Sequence, residues 1–158
     1  MAVTRAAQQQ QIAQLEQRVA DAPLWAFDAG EGRKHFVQLC SPCHQLDNEG
    51  VDIGPSLAGS GSNGARYFIE NIVDPHAVIG RDYQASLLET KDGEFFSGLI
   101  ENKTATAVTI RTVTGSVTVP RTNIESLSLG ELSMMPSGLL DALNERQQIE
   151  LLKFLRSL

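Results

Sequence analysis

Two cysteines and a histidine are the residues of this chain whose types and spacing could support chemistry. Cys40, Cys43 and His44 stand in the order Cys-Ser-Pro-Cys-His, and Cys-x-x-Cys-His is the attachment signal for a c-type haem. Two thiols about one helical turn apart can add to the two vinyl groups of a haem, while the neighbouring imidazole faces the iron. The motif therefore predicts one haem c, bound covalently through Cys40 and Cys43, with His44 as its proximal ligand.

Other chemistries of this motif stay open at this point. Zinc would need four ligands from Cys, His or carboxylate, but the chain has no further cysteine, and its other histidines are His35 and His76. A thiol-disulfide redox protein would favour strands alternating with helices around the motif, whereas the strand-like segments here all follow it. A haem enzyme, or a gas or redox sensor with a displaceable ligand, remains the main alternative to an electron carrier.

Composition and charge exclude some classes of partner. The chain has 158 residues, 42% of them hydrophobic, and a net charge of -6, which argues against nucleic acid. It contains no apolar run near the roughly 20 residues of a membrane span. Between residues 40 and 85 there are six acidic residues and only two arginines. That stretch is either a solvated acidic surface or one that steers a basic redox partner.

Helical patterns surround the motif. Residues 4–20, 31–39 and 65–73 carry apolar side chains at helical spacing, and Asn144 is placed to cap a final helix. We predict residues 1–28 to be an amino-terminal helix and linker, which packs on the domain or contacts a second chain; the oligomeric state stays open. Leu24, Trp25 and Phe27 are predicted to pack on the core, whereas His35 is predicted to lie at the surface.

From Gln84 the helical spacing gives way to alternation. Ser86 to Thr90 and Glu94 to Glu101 flank Lys91-Asp92-Gly93, a pattern typical of a hairpin with an Asp-Gly turn. Further alternating Val, Ile and Thr residues extend to about 129. We predict four or five antiparallel strands in a compact meander.

A haem iron ligated by His44 has a second axial position, and methionine is a common ligand there in electron-transfer proteins. Met134 and Met135 precede Pro136 in a loop before the last helix. From the residues alone, either methionine is a candidate.

The order of these motifs resembles class I cytochrome c, and more closely the haem-binding domain of the Pirellula/Verrucomicrobium type. The stretches that carry the resemblance are Cys40-Ser-Pro-Cys-His44, Gly54-Pro55-Ser56-Leu57, Ile72-Val73-Asp74-Pro75, Thr90-Lys91-Asp92-Gly93, Ser97-Gly98-Leu99-Ile100, Val119-Pro120 and Ser133-Met134-Met135-Pro136. It implies a mostly α cytochrome c fold, over residues 29–158, with an antiparallel β meander inserted at about 84–129, an α+β arrangement in which the helices dominate.

The resemblance also implies site residues. Met135, directly before the proline, would be the second iron ligand opposite His44, and the carbonyl of Pro55 would accept the ring proton of His44. His76 departs from the family pattern and leaves a rival ligand. Candidates for contact with the haem propionates are Arg66, Tyr67, Arg81 and Tyr83.

The function implied is single-electron transfer rather than catalysis. Such domains usually lie at the carboxyl end of long secreted proteins, so we expect a periplasmic or otherwise extracytoplasmic location. The amino terminus has no secretory signal pattern, and we expect the chain to be a domain of a longer protein. A fused dehydrogenase domain or a separate redox partner protein would supply the electrons.

Overall fold

Four α-helices and five β-strands make up the described part of the chain. A computed structural model describes residues 4–23 and 28–158. The helices are α1 Arg5–Asp21, α2 Ala29–Leu39, α3 Gly64–Val73 and α4 Glu145–Arg156, and the strands are β1 Gln84–Thr90, β2 Phe95–Lys103, β3 Ala107–Thr112, β4 Gly115–Pro120 and β5 Ile124–Ser133. The predicted apolar cluster of Leu24, Trp25 and Phe27 lies outside the described residues.

The prediction of a mostly α cytochrome c fold was wrong. The fold is α+β, with a five-stranded antiparallel sheet in addition to the four helices of the described residues. The error came from treating the alternating segment as a small insertion into a helical domain. Its strands instead bury an apolar core of their own, so the sheet is an independent structural part.

The chain divides into two compact units. The helical unit contains the described residues up to Ala77 together with Met135–Leu158, and the sheet unit contains Val78–Met134. The Cys-x-x-Cys-His motif and Met135 belong to the helical unit, whereas Met134 is the last residue of the sheet unit.

Helices α1, α3 and α4 bury one apolar face each in the helical unit. Ile12, Leu15 and Val19 of α1 are buried, and so are the residues of α3 and α4 that stand at helical spacing. Thr4 caps α1 through its side chain, and Asn144 caps α4 in a reciprocal capping box with Gln147. The predicted helices are thus confirmed. No helix of residues 4–23 and 28–158 is long and apolar enough to cross a membrane.

Helix α2, which leads into the motif, packs closely on α4 because of a glycine. A Cβ atom at Gly32 would lie 2.6 Å from the Cβ of Phe154 and closer still to the carbonyl oxygen of Glu150. The absence of that atom lets the two backbones approach. The rings of Phe36 and Phe154 then meet with their centroids 5.7 Å apart. The start of the attachment motif is therefore held against the terminal helix.

A buried polar cluster lies in the same helix contact. His35 is only 8% exposed, and its Nε2 lies 3.1 Å from Oε2 of Glu150. Arg146 donates from Nε to the other carboxylate oxygen at 2.8 Å. The prediction of His35 as a surface residue was wrong, because this carboxylate gives the imidazole a polar partner inside the interface.

The sheet unit has strand order β4-β3-β2-β1-β5, with all neighbours antiparallel. The predicted hairpin is confirmed as β1 and β2, with Leu88 opposite Phe96. The first four strands form a meander, but β5 returns to pair with β1. One face of the sheet buries Leu88, Val108, Ile110 and Val119.

Candidate functional site

The attachment motif occupies the turn that ends α2. The backbone N–H of Cys40 donates to the carbonyl of Phe36 at 2.8 Å, as in a last helical turn. The N–H groups of Cys43 and His44 both donate back to the carbonyl of Cys40, at 3.0 and 2.8 Å. One further tight turn of the backbone therefore carries the two cysteines and the histidine, although the two thiols are not close together.

A tight turn with two central residues follows the motif and reverses the direction of the chain. Leu46 and Glu49 exchange backbone hydrogen bonds of 2.9 and 2.8 Å. Asp47 and Asn48 between them have φ values of 52° and 65°, in the left-handed region that Asn and Asp tolerate better than most residues. This turn was not among the predicted elements, although the Asp-Asn pair was a signal for it.

After this turn, the segment 50–54 runs alongside the motif. The N–H of Val51 donates to the carbonyl of Ser41 at 2.9 Å, and the N–H of Gly54 donates to the carbonyl of Cys43 at 2.6 Å. Gly50, with φ 96°, sits where a Cβ would collide with the carbonyl oxygen of His44. The segment 50–54 is thereby fixed beside the two cysteines.

The imidazole of His44 is held by the loop that follows. Its Nδ1 lies 2.8 Å from the carbonyl oxygen of Pro55. Because a carbonyl can only accept, Nδ1 must carry the proton, and the neutral ring then presents a lone pair at Nε2. This is the contact that the family resemblance implies.

Gly54 makes room for that contact. A Cβ at this position would lie 2.7 Å from Cε1 and 2.9 Å from Nδ1 of the His44 ring. Any other residue would push the imidazole or the loop aside. The Gly54-Pro55 pair therefore forms a cradle for one face and one nitrogen of the histidine.

The two thiols are not bonded to each other. Burial, with a smaller effect of Cys43, raises the pKa of Cys40 to about 12, and burial also raises the pKa of Cys43. Thiol-disulfide enzymes instead use a thiol whose pKa is lowered by nearby positive charge or a helix amino terminus. The environment disfavours thiolate chemistry, whereas an uncharged thioether is compatible with it.

Met135 packs, partly buried, against the same apolar core that Cys40 and Leu57 contact. His76 lies on the turn after α3, with Nε2 3.4 Å from Oγ of Ser137, and so is close to the segment that follows Met135. The helical unit therefore contains the motif, Met135 and His76, which was predicted as a rival ligand.

The propionate candidates are divided between the units. Arg66 is engaged by two carboxylates, Glu70 at 2.7 Å and Glu16 at 3.1 Å. Tyr67 is 43% exposed and belongs with Arg66 to α3. Arg81 and Tyr83 form a short 3-10 turn in the sheet unit.

The residues present fit a covalently bound haem. Two thiols in one turn can serve as anchors, and an adjacent imidazole with its Nδ1 proton engaged is a suitable iron ligand. The side chain of Met135 packs against the apolar core that Cys40 also contacts. No group of three or more His, Cys, Asp or Glu side chains suited to a metal ion occurs within residues 4–23 and 28–158.

No protein-family model matches this chain, and a comparison with curated proteins gives no match. The resemblance to the Pirellula/Verrucomicrobium-type domain stays a prediction from the motifs.

Proposed function

We propose that this protein is a single-electron carrier with one covalently bound haem c. The observation that carries the proposal is the contact between Nδ1 of His44 and the Pro55 carbonyl at 2.8 Å. It supports a ligand role because it fixes the tautomer whose Nε2 can bind iron. Gly54 preserves this contact, since a Cβ there would lie 2.9 Å from Nδ1 of His44.

Each residue of the site has a role in this proposal. Cys40 and Cys43 would anchor the haem covalently, and His44 and Met135 would be the residues that ligate its iron. When bound, the haem supplies an iron that changes its charge by one electron, at a potential that methionine ligation raises. No side chain is required as an acid, a base or a nucleophile, so the domain is not itself an enzyme.

The chain's own contribution is orientation and exclusion of water. Pro55 fixes the plane and basicity of the His44 ring, since a hydrogen bond to Nδ1 strengthens the donor character of Nε2. The core that contacts Cys40 and Met135 is apolar, and a low-polarity environment tunes the potential of such centres.

The electron donor is proposed to be a dehydrogenase domain of the same protein or a separate redox partner, outside the cytoplasm. Covalent haem attachment at this motif takes place there, which is why the location follows from the cofactor. The acidic composition, with a net charge of -6, favours a basic partner over nucleic acid.

The ligand assignment can be tested with a matched pair of variants, Met135→Ala and Met134→Ala, in protein produced with a haem-attachment system. We expect Met135→Ala to retain covalent haem, to lose the weak near-infrared band of methionine bound to ferric haem, and to bind carbon monoxide in its reduced form. Met134→Ala should keep the wild-type spectrum. The reverse pattern would contradict the assignment.

A wild-type protein that lacks the near-infrared band would also contradict it. Replacing His76 by Ala then shows whether the imidazole at that position is the ligand. If the wild-type protein binds carbon monoxide, the result would favour the alternative of a haem enzyme or sensor.

A further inference from the structure

One side chain of α4 holds the backbone that lies between Met135 and that helix. This backbone forms a short 3-10 turn at Leu139–Ala142. Nε2 of Gln148, near the start of α4, donates to the carbonyl of Leu140 at 2.9 Å and to that of Leu143 at 3.1 Å. We call these two hydrogen bonds the Gln148 bridge. They join the turn to the helix at two points.

The bridge lies among buried residues that share a core with Met135. Leu140 is 3% exposed and Leu143 is 8% exposed, and both belong to the apolar cluster against which Met135 packs. Because protein interiors are close-packed, they transmit a displacement from one side chain to its neighbours. A shift of the turn would therefore reach the methionine through the core as well as through the chain.

The segment has a longer contact nearer to Met135. Oγ of Ser137 lies 3.4 Å from Nε2 of His76, and Ser137 is exposed. A long contact in water contributes little to the position of a loop. The Gln148 bridge is shorter and partly buried, so it is the better placed of the two to fix the turn.

The oxygen of the same amide group makes no comparable contact. Oε1 of Gln148 is buried, and no group of residues 4–23 and 28–158 donates a hydrogen bond to it. A buried acceptor without a donor destabilises a fold by about as much as one or two hydrogen bonds stabilise it. The bridge therefore fixes the position of the turn with little net gain in stability.

We propose that Gln148 is a positioning residue for Met135, which it keeps at the haem iron by holding the turn against α4. This inference rests on the proposed function, in which Met135 ligates the iron, and it adds how that ligand is held. When the turn is free to shift, the thioether leaves the iron more often. The apparent affinity for an external ligand then rises with the fraction of protein in which the thioether is displaced.

The bridge can be tested with the variant Gln148→Leu in the haem-loaded protein. Leucine favours helix and does not ligate iron, and it removes the two N–H donors together with the unpartnered oxygen. The matched control is Gln147→Leu, one residue earlier on α4. It removes the Oε1 that accepts from the backbone N–H of Asn144 at 2.9 Å, but it leaves the Gln148 bridge intact. Both variants thus replace one glutamine of the same helix by leucine.

The measurement is the affinity of the ferric protein for imidazole, followed in the absorption spectrum together with the near-infrared band. We expect Gln148→Leu to raise this affinity about three- to tenfold, the factor that corresponds to one net hydrogen bond, and to weaken the band. The control should change the affinity much less, although its free energy of unfolding in urea should fall at least as far. Equal changes in the two variants, or an unchanged affinity in Gln148→Leu, would overturn the inference.

Gln148→Glu decides the question if the leucine variant does not fold. Glutamate keeps the shape of glutamine, but its ionised carboxylate cannot donate, whereas the protonated form offers one O–H. We expect a weak near-infrared band at neutral pH that recovers, relative to the wild type at each pH, as the pH falls and the carboxyl group is protonated. A band of wild-type strength at neutral pH, or one that does not recover, would overturn the inference.

Failure of the proposed function would be visible in the wild type. A wild-type protein with haem but without the near-infrared band would refute Met135 as the ligand, and the inference with it. A wild-type protein without haem would refute the proposed function itself.

Discussion

Replacement of Gly54 by alanine tests how the proximal histidine is held. The position has no left-handed backbone angle, so alanine adds one methyl group without a backbone penalty. That methyl would lie 2.7 Å from Cε1 and 2.9 Å from Nδ1 of His44. Either the ring turns away from Pro55 or the loop moves outward, and both movements lengthen the hydrogen bond between His44 and Pro55.

The size of the effect follows from that overlap. Carbon atoms pack at about 3.5 Å or more, so the new contact is too short by about 0.8 Å. Overpacking of this kind costs about 1–3 kcal/mol, and loss of the hydrogen bond adds about 1 kcal/mol. A total of about 2–4 kcal/mol corresponds to a fall in melting temperature of roughly 5–15 °C for a chain of this length.

The assay is thermal unfolding of the haem-loaded protein, together with its reduction potential. We expect a lower melting temperature and a higher potential, because a His44 ring without its Nδ1 partner is a weaker electron donor to iron. Gly80→Ala is the control, since its Cβ would meet only the Tyr83 ring at an ordinary 3.5 Å. A Gly54→Ala protein with the wild-type melting temperature and potential would refute the claim that Gly54 makes room for the His44 ring. A lower melting temperature with an unchanged potential would refute the claim that the hydrogen bond to Pro55 strengthens His44 as an iron ligand.

Two further predictions concern the contact between α2 and α4. Gly32→Ala should destabilise the protein by about 1–3 kcal/mol in urea unfolding, because its Cβ would collide with the Glu150 carbonyl and with Phe154. Gly30→Ala is the control and should cost far less, since its Cβ would meet only the Asp28 side chain, at 3.2 Å. Burial would raise the pKa of Glu150, but the hydrogen bonds from Arg146 and His35 outweigh it and lower that pKa below its ordinary 4.5. A carboxyl with a lowered pKa stabilises the fold above its unfolded-state pKa and loses that effect as the pH falls through the folded-state value. The free energy of unfolding should therefore decrease below about pH 4.5 in the wild type and less steeply in Glu150→Gln; equal slopes would contradict the argument.

The helices could be predicted because their signals are local. Thr4 and Asn144 cap α1 and α4 through their side chains, and apolar spacing marks the buried face of α3. The strand order could not be predicted in the same way, since the pairing of β5 with β1 joins residues far apart in the chain. Alternation shows that a segment is a strand but not which strand it will pair with.

The residues of the candidate site were predicted on different grounds. Cys40, Cys43 and His44 follow from spacing alone, whereas the Pro55 carbonyl and the choice of Met135 came only from the family resemblance. The turn at Asp47 and Asn48 was missed, although Asp and Asn are enriched among the non-glycine residues that adopt left-handed backbone angles. The burial of His35 was missed because its partner, Glu150, lies on a helix at the other end of the chain.

The central claim is that this chain carries haem covalently through Cys40 and Cys43. The most direct measurement is the absorption spectrum of the chain, before and after extraction with acidified acetone, when it is produced together with a haem-attachment system. We predict that a low-spin c-type spectrum stays with the polypeptide, and that replacing both cysteines by alanine leaves no haem on the denatured chain. A wild-type protein that carries no haem, or that loses all of it on extraction, would contradict the account.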